Sequence, residues 1–232
     1  MRLLTDLDGV LVDSGRAVER AYRWWAADRG LDFAEVEPAI HGRPSRQVVA
    51  RVLPGADAAA EARRIEVFQA TDLDGVRAIP GAHELLAAWP ADCLAVVTSA
   101  SVLLATARLT HAGLPVPAAL ITEDRVTNGK PAPDPYLAGA AALGADPADC
   151  VVLEDAPAGL RAALAAGMRV VAVLTTHRRE ALPGASAYVD DLRGVADLIR
   201  GLWCRCSQLR AVARVSPAPA GAARRPEVCR GT

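Results

Sequence analysis

Residues 150–175 read CVVLEDAPAGLRAALAAGMRVVAVLT. An apolar run ends in two acidic residues, an Ala/Leu-rich stretch of helical length leads to Gly167, and a second apolar run follows from 170 to 175. Continuous short apolar runs suit strands buried on both faces, and the stretch between them suits the crossover helix of a parallel βαβ unit. Glu154 and Asp155 would then stand at the carboxyl end of a parallel strand, where open α/β sheets form their ligand crevices.

The alternation continues towards the N-terminus. LAVVTS (94–99) and AALIT (118–122) read as further buried strands. SVLLATARLTHAG and DPYLAGAAALG read as helices, and these two and APAGLRAALAAG end at Gly113, Gly144 and Gly167, in the position of a helix C-cap. Asp134–Pro135 suits a cap and first-turn pair. The pattern predicts an α/β fold with a doubly wound parallel sheet.

From about Arg16 to about Val76 the pattern changes: Ala21, Trp24 and Trp25, then Val48, Val49 and Val52, then Ile65 and Phe68 recur at helical spacing, without a convincing strand. This predicts a helical block inserted after the first strand, a cap over the crevice, with Ile79-Pro80-Gly81 marking the return. The expected division is a core of residues 1–15 and 77–201, a cap of 16–76, and a basic Pro/Ala-rich tail of 202–232 that is expected to be disordered.

The hexapeptide TDLDGV occurs twice, at 5–10 and at 71–76. The first copy follows apolar Leu3-Leu4, so its aspartates are expected at a strand's C-terminal end, with both side chains on one face. The second follows a helix-like run and precedes Pro80-Gly81, so Asp72 and Asp74 are expected to be solvated residues of a connection. At later strand ends come Thr98-Ser99, Lys130 in the loop NGKPAPDP, and Glu154-Asp155. Hydroxyls, a cation and a carboxylate pair would thus converge on Asp6 and Asp8. Lys130 is the single lysine among 26 basic residues. Where arginine serves nearly every positive charge, one compact point charge marks a candidate anion site.

Composition narrows the function. The net charge of −1 makes no case for nucleic acid or for a membrane surface, and apolar runs such as 93–97 are far too short to span a bilayer. The N-terminus leaves no room for a signal peptide, and the protein is expected to be cytoplasmic and monomeric. Cysteines 93, 150, 204, 206 and 229 form no CxxC pair; Cys93 and Cys150 begin apolar runs as small hydrophobes, and Cys204-Arg-Cys206 is too sparse for zinc.

With these residues in place, the sequence resembles the haloacid dehalogenase superfamily of phosphohydrolases over about residues 2–200. DLDGVLVDS, VVTS, GKPAPDPYL and VVLEDAPAG match its four motifs in order. HGRPSR, IPGAHELL and TEDRVTNGKPAPDPYL are similar to small-sugar and polyol phosphate phosphatases, including those acting on glycerol phosphate and 2-deoxyglucose 6-phosphate. The resemblance implies a Mg2+-dependent phosphatase of phosphorylated sugars or polyols. Asp6 would be nucleophile, Asp8 general acid and base, Thr98, Ser99 and Lys130 phosphate binders, and Asp6, Asp8, Asp155 and Glu154 the metal site. Which of Thr98 and Ser99 lies nearer the phosphoryl group is left open. In the insert, His41, Arg43 and Arg46 are candidates for reaching the leaving group.

That chemistry is physically coherent. A carboxylate nucleophile approaches a phosphomonoester dianion only if its charge is neutralised, which Mg2+ and Lys130 would do. Asp8 must be protonated in the first step to supply the leaving alkoxide. Sugar-phosphate mutases of the superfamily carry a histidine where this chain has Val18, which ranks hydrolysis first and a mutase second. A non-catalytic protein recruiting an acidic partner through its tail is a third reading.

Overall fold

A computed structural model describes residues 1–40 and 43–202. The chain enters through β1 (Arg2–Thr5) and a short β2 (Val12–Asp13), then forms four helices in succession: α1 (Gly15–Arg29), α2 (Phe33–Ile40), α3 (Ser45–Val52) and α4 (Ala58–Thr71). It returns through β3 (Arg77–Ala78) and α5 (Ala82–Ala88). The alternating region follows: β4 (Leu94–Val97), α6 (Val102–His111), β5 (Ala119–Ile121), α7 (Asp134–Ala142), β6 (Cys150–Glu154), α8 (Pro157–Ala165), β7 (Arg169–Val173) and β8 (Ala187–Val189).

Six strands pair in the order β5-β4-β1-β6-β7-β8, and every pairing is parallel. All residues of β4 and β6 are buried, as continuous apolar runs require. Side-chain alternation along β1 divides the core: Leu3 packs with Leu104, Leu109, Val151 and Ile199 on one face, and Leu4 with Val97, Tyr136, Ala140 and Leu160 on the other. Helices therefore cover both faces, and the expected doubly wound α/β sheet is found. Each fully buried leucine contributes about 1.5–3 kcal/mol to this core.

A third apolar cluster lies within the four helices between β2 and β3: Ala21, Tyr22, Trp25, Val36, Val48, Val49 and Ile65 pack together. Trp24 stacks on Phe68 with ring centroids 4.6 Å apart. Trp25 is buried and donates through Nε1 to Glu61 at 2.7 Å, so its polar atom is satisfied.

Three details differ from the sequence reading. β2 and β3 pair antiparallel, Val12 with Ala78 and Asp13 with Arg77, where the chain leaves and re-enters the sheet; two-residue strands are too short to register as periodicity. Asp134 is the first helical residue of α7, not its cap, and accepts from Asn128 Nδ2 at 2.9 Å. The second TDLDGV copy does lie in a connection, but Asp72 is not simply solvated. Arg20 reaches its two carboxylate oxygens at 2.8 and 2.9 Å and also the Asp74 carbonyl at 2.7 Å. Gly113, Gly144 and Gly167 all take positive φ, as helix-terminating glycines do.

No helix among the described residues is long and apolar enough to cross a membrane. The expected tail lies outside the described residues from 203 onward, as do Cys204, Cys206 and Cys229, and so does His41.

Candidate active site

Strand order builds the site. β1 lies between β4 and β6, with Thr5 in register with Val96 on one side and Leu153 on the other. The residues at the carboxyl ends of these three strands, Asp6, Thr98 and the Glu154-Asp155 pair, therefore meet at one edge of the sheet. The Asp6 amide continues the ladder to Leu153 O at 3.0 Å, and the Thr98 amide continues it to Ile121 O at 2.9 Å. Lys130 comes in from the loop before α7.

Asp6 and Asp8 are held by a turn, not by the strand itself. β1 ends at Thr5, and the amides of Leu11 and Val12 both donate to Leu7 O, at 2.9 and 3.0 Å. Gly9 takes φ +82° there, and a Cβ on it would lie 2.0 Å from Asp155 Oδ2, so both the turn and the neighbouring acid need glycine. Both aspartates line a cavity of about 810 Å3 between the sheet edge and the inserted helices.

Lys130 is the hub. Its buried Nζ donates to Asp6 Oδ1 at 2.6 Å, Glu154 Oε1 at 2.7 Å and Val97 O at 3.0 Å. Three donors meet three acceptors, and the ammonium's capacity is filled. Glu154 is just as fully used: Oε1 also accepts from Tyr136 at 2.8 Å, and Oε2 accepts from the amides of Asp155 and Ala156, each at 3.0 Å. Asp155 is held by the Thr176 hydroxyl at Oδ2, while its Oδ1 is buried without a hydrogen-bond partner.

The electrostatics follow from three buried carboxylates sharing one ammonium. Burial pushes Asp6 up to about 7 against the opposing pull of Lys130, with Glu154 adding to the rise. Burial, then the charges of Glu154 and Asp6, push Asp155 well above the carboxylate range. Burial opposes the charge on Lys130, but Asp6 and Glu154 outweigh it and hold the ammonium above its usual range. Burial, with Glu154 close by, also raises Tyr136.

A divalent cation would balance the two remaining negative charges. Oxygens of Asp6, Glu154 and Asp155 all lie within 4.8 Å of one another. Hard oxygen donors and an unpartnered buried carboxylate oxygen fit magnesium. Both Glu154 oxygens also accept from Lys130, Tyr136 and two amides, so Glu154 holds the cluster together.

Thr98 is buried, with its Oγ1 accepting from the Ala100 amide at 3.1 Å; Ser99 is half-buried, and both line the cavity. Arg43 also lines it and donates to Ala39 O at 3.1 Å. Arg46 does not: it is exposed on the first turn of α3, and its charge bears on Glu123.

Asp8 has partners the sequence reading missed. Its Oδ1 accepts from Ser14 Oγ at 2.6 Å, and its Oδ2 is ion-paired with Arg108 Nη1 at 2.7 Å. Arg108 in turn donates through Nη2 to Gln69 Oε1. One signal was available: Leu104 and Arg108 are four apart on the apolar face of α6, as Ile65 and Gln69 are on α4. Each polar residue occupies a place in its helix where a leucine would be ordinary.

Known proteins are similar to this chain in sequence and in fold. The chain is 48% identical over 180 residues to hexitol phosphatase A of Escherichia coli, covering 73% of this chain and 81% of that one. It is 32% identical over 179 residues to the E. coli fructose-1-phosphate phosphatase YqaB, covering 74% and 95%. The structure of CbbY from Rhodobacter sphaeroides in complex with phosphate superposes with a TM-score of 0.74 at 26% identity, over 82% of this chain and 94% of that one. Residues 2–167 match the haloacid dehalogenase-like hydrolase family, and the chain belongs to it.

Proposed function

We propose that the protein is a Mg2+-dependent phosphatase that hydrolyses phosphomonoesters of small sugars or polyols through an aspartyl-phosphate on Asp6. The observation that carries this reading is the convergence of Asp6, Glu154 and Asp155 from two strand ends, with Lys130 from the loop before α7, into one buried cluster with a carboxylate oxygen left unpartnered. The likeness to hexitol and fructose-1-phosphate phosphatases supports the substrate class.

Asp6 Oδ2 attacks phosphorus while Oδ1 is tethered to Lys130, and the ester P–O bond breaks. Asp8 passes a proton to the departing alkoxide. It then takes a proton from water, which attacks the phosphoryl group and releases inorganic phosphate with Asp6 restored. Ser14 suits both stages, because a hydroxyl can donate to the Asp8 carboxylate or accept from its acid form. Thr98 and Ser99 bind the phosphoryl oxygens, and Lys130, from its place beside Asp6, offsets their negative charge.

Asp6, Asp155 and the Asp8 main-chain carbonyl would hold magnesium, which supplies charge neutralisation at the phosphoryl group. Glu154 keeps Lys130 in place. The helices α1–α4 act as a cap whose closure excludes bulk water and carries Arg43 towards the leaving group. Val18 lines the cavity with a side chain that cannot exchange protons, which favours hydrolysis over a mutase reaction.

The test is phosphate release from a panel of hexitol, hexose and glycerol phosphates, with magnesium, with a chelator, and after magnesium is restored. Release that the chelator stops and the metal restores supports the reading; no release from any ester contradicts it.

A further inference from the structure

Helix α4 turns Glu66 and Gln69, neighbours on one helical face, towards the cavity. Gln69 is buried and accepts from Arg108 Nη2, while Arg108 Nη1 is ion-paired with Asp8 at 2.7 Å. One guanidinium thus spans the gap from Asp8 to α4, which sets Glu66 on the wall beside the place where a leaving group departs. Glu66 is half-buried, and among the described residues no cation forms an ion pair with it. Burial raises its carboxyl above the usual range, opposed by the Ser101 hydroxyl and by the charge of Arg108, which is already engaged with Asp8.

The other charges on that wall are matched or exposed. Arg77 is paired with Asp13 at 2.5 Å, and exposed Arg16 and Arg43 stand against exposed Glu19 and Glu37. Charges open to water are screened, whereas a half-buried charge acts through a lower dielectric and is felt more strongly.

We propose that Glu66 is a specificity-determining residue: its carboxylate accepts hydrogen bonds from the hydroxyls of a neutral polyol leaving group and turns away leaving groups that carry a second anion. The inference rests on the phosphatase reading above and narrows its substrate class. A carboxylate offers acceptors only, so it pairs with hydroxyl donors and repels a carboxylate or a second phosphate. Rejection is built into the wall as charge and needs no steric clash.

Two esters with one carbon skeleton isolate this effect. Sorbitol 6-phosphate ends in a hydroxyl at C1, and 6-phosphogluconate ends there in a carboxylate. With magnesium present, the unaltered protein should favour sorbitol 6-phosphate by at least about tenfold in kcat/KM, and Glu66→Gln, which keeps the shape without the charge, should bring the two within about threefold. A merely structural role would change both esters alike and leave their ratio where it was. Melting curves establish that the variant folds, and if it does not, Glu66→Ala carries that arm. Equal kcat/KM on the two esters in the unaltered protein, or a preference that survives loss of the Glu66 charge, would overturn the inference. Release of phosphate from p-nitrophenyl phosphate but not from sorbitol 6-phosphate would overturn it alone, whereas no release from any of the three esters would contradict the phosphatase reading and this inference with it.

Discussion

Gly159 lies so close under Glu154 that a Cβ at position 159 would stand 1.5 Å from Glu154 Oε1. The glycine is in helix α8, where alanine is the better helix former by about 1 kcal/mol, so the helix itself would welcome the substitution. What the glycine preserves is room for the carboxylate that fixes Lys130. Gly159→Ala should therefore cost about 1–3 kcal/mol through overpacking, despite its helical advantage, and lower turnover by displacing Lys130. Thermal unfolding and phosphate release check this; a stabilised, fully active variant would contradict it.

Glu123 offers a pH test away from the candidate metal residues. Burial, then the neighbouring charge of Glu66, push its carboxyl up to about 7, with Arg46 giving partial relief. A carboxyl raised on folding binds more protons folded than unfolded, so its ionisation weighs against the fold increasingly from about pH 4.5 to 7 and fully above. Glu123→Gln should raise the melting temperature by a few degrees at pH 8, and the gain should vanish as the pH falls towards 4.5. A gain that is independent of pH would contradict this.

The duplicated hexapeptide allows a direct comparison. Asp72 is bound to Arg20, whose hydrogen bond holds the carboxyl below its usual range, and neither Asp72 nor Asp74 lines the cavity. Asp72→Asn and Asp74→Asn should leave turnover unchanged, with a small drop in melting temperature for Asp72→Asn only. A large loss of turnover in either would show that the connection contributes to the site.

These residues also show what could be read in advance. Thr98 and the Glu154-Asp155 pair directly follow uninterrupted apolar runs, Asp6 follows Leu3-Leu4 after one threonine, and a parallel sheet brings such positions to one edge whatever the later details. Lys130 stood out because its chain otherwise uses arginine. Arg108 and Gln69 were not legible as a pair, because their meeting depends on how α4 packs on α6, 39 residues apart in the chain. Ser14 and Thr176 escaped notice for a related reason: a lone hydroxyl has no periodicity, and only the chain's course after β2 and β7 aims it at a carboxylate. Arg46 looked like Arg43 in the sequence, yet the helical turn of α3 carries it away from the cavity.

The most direct test of the account is to trap the covalent intermediate. The protein is mixed with magnesium and a hexitol phosphate, treated with borohydride during turnover, and digested for mass spectrometry. Reduction of an aspartyl-phosphate converts that aspartate to homoserine. The account predicts homoserine at position 6, dependent on substrate and absent from Asp6→Asn, which should also release no phosphate. Turnover by Asp6→Asn, or homoserine at another aspartate with position 6 untouched, would contradict it.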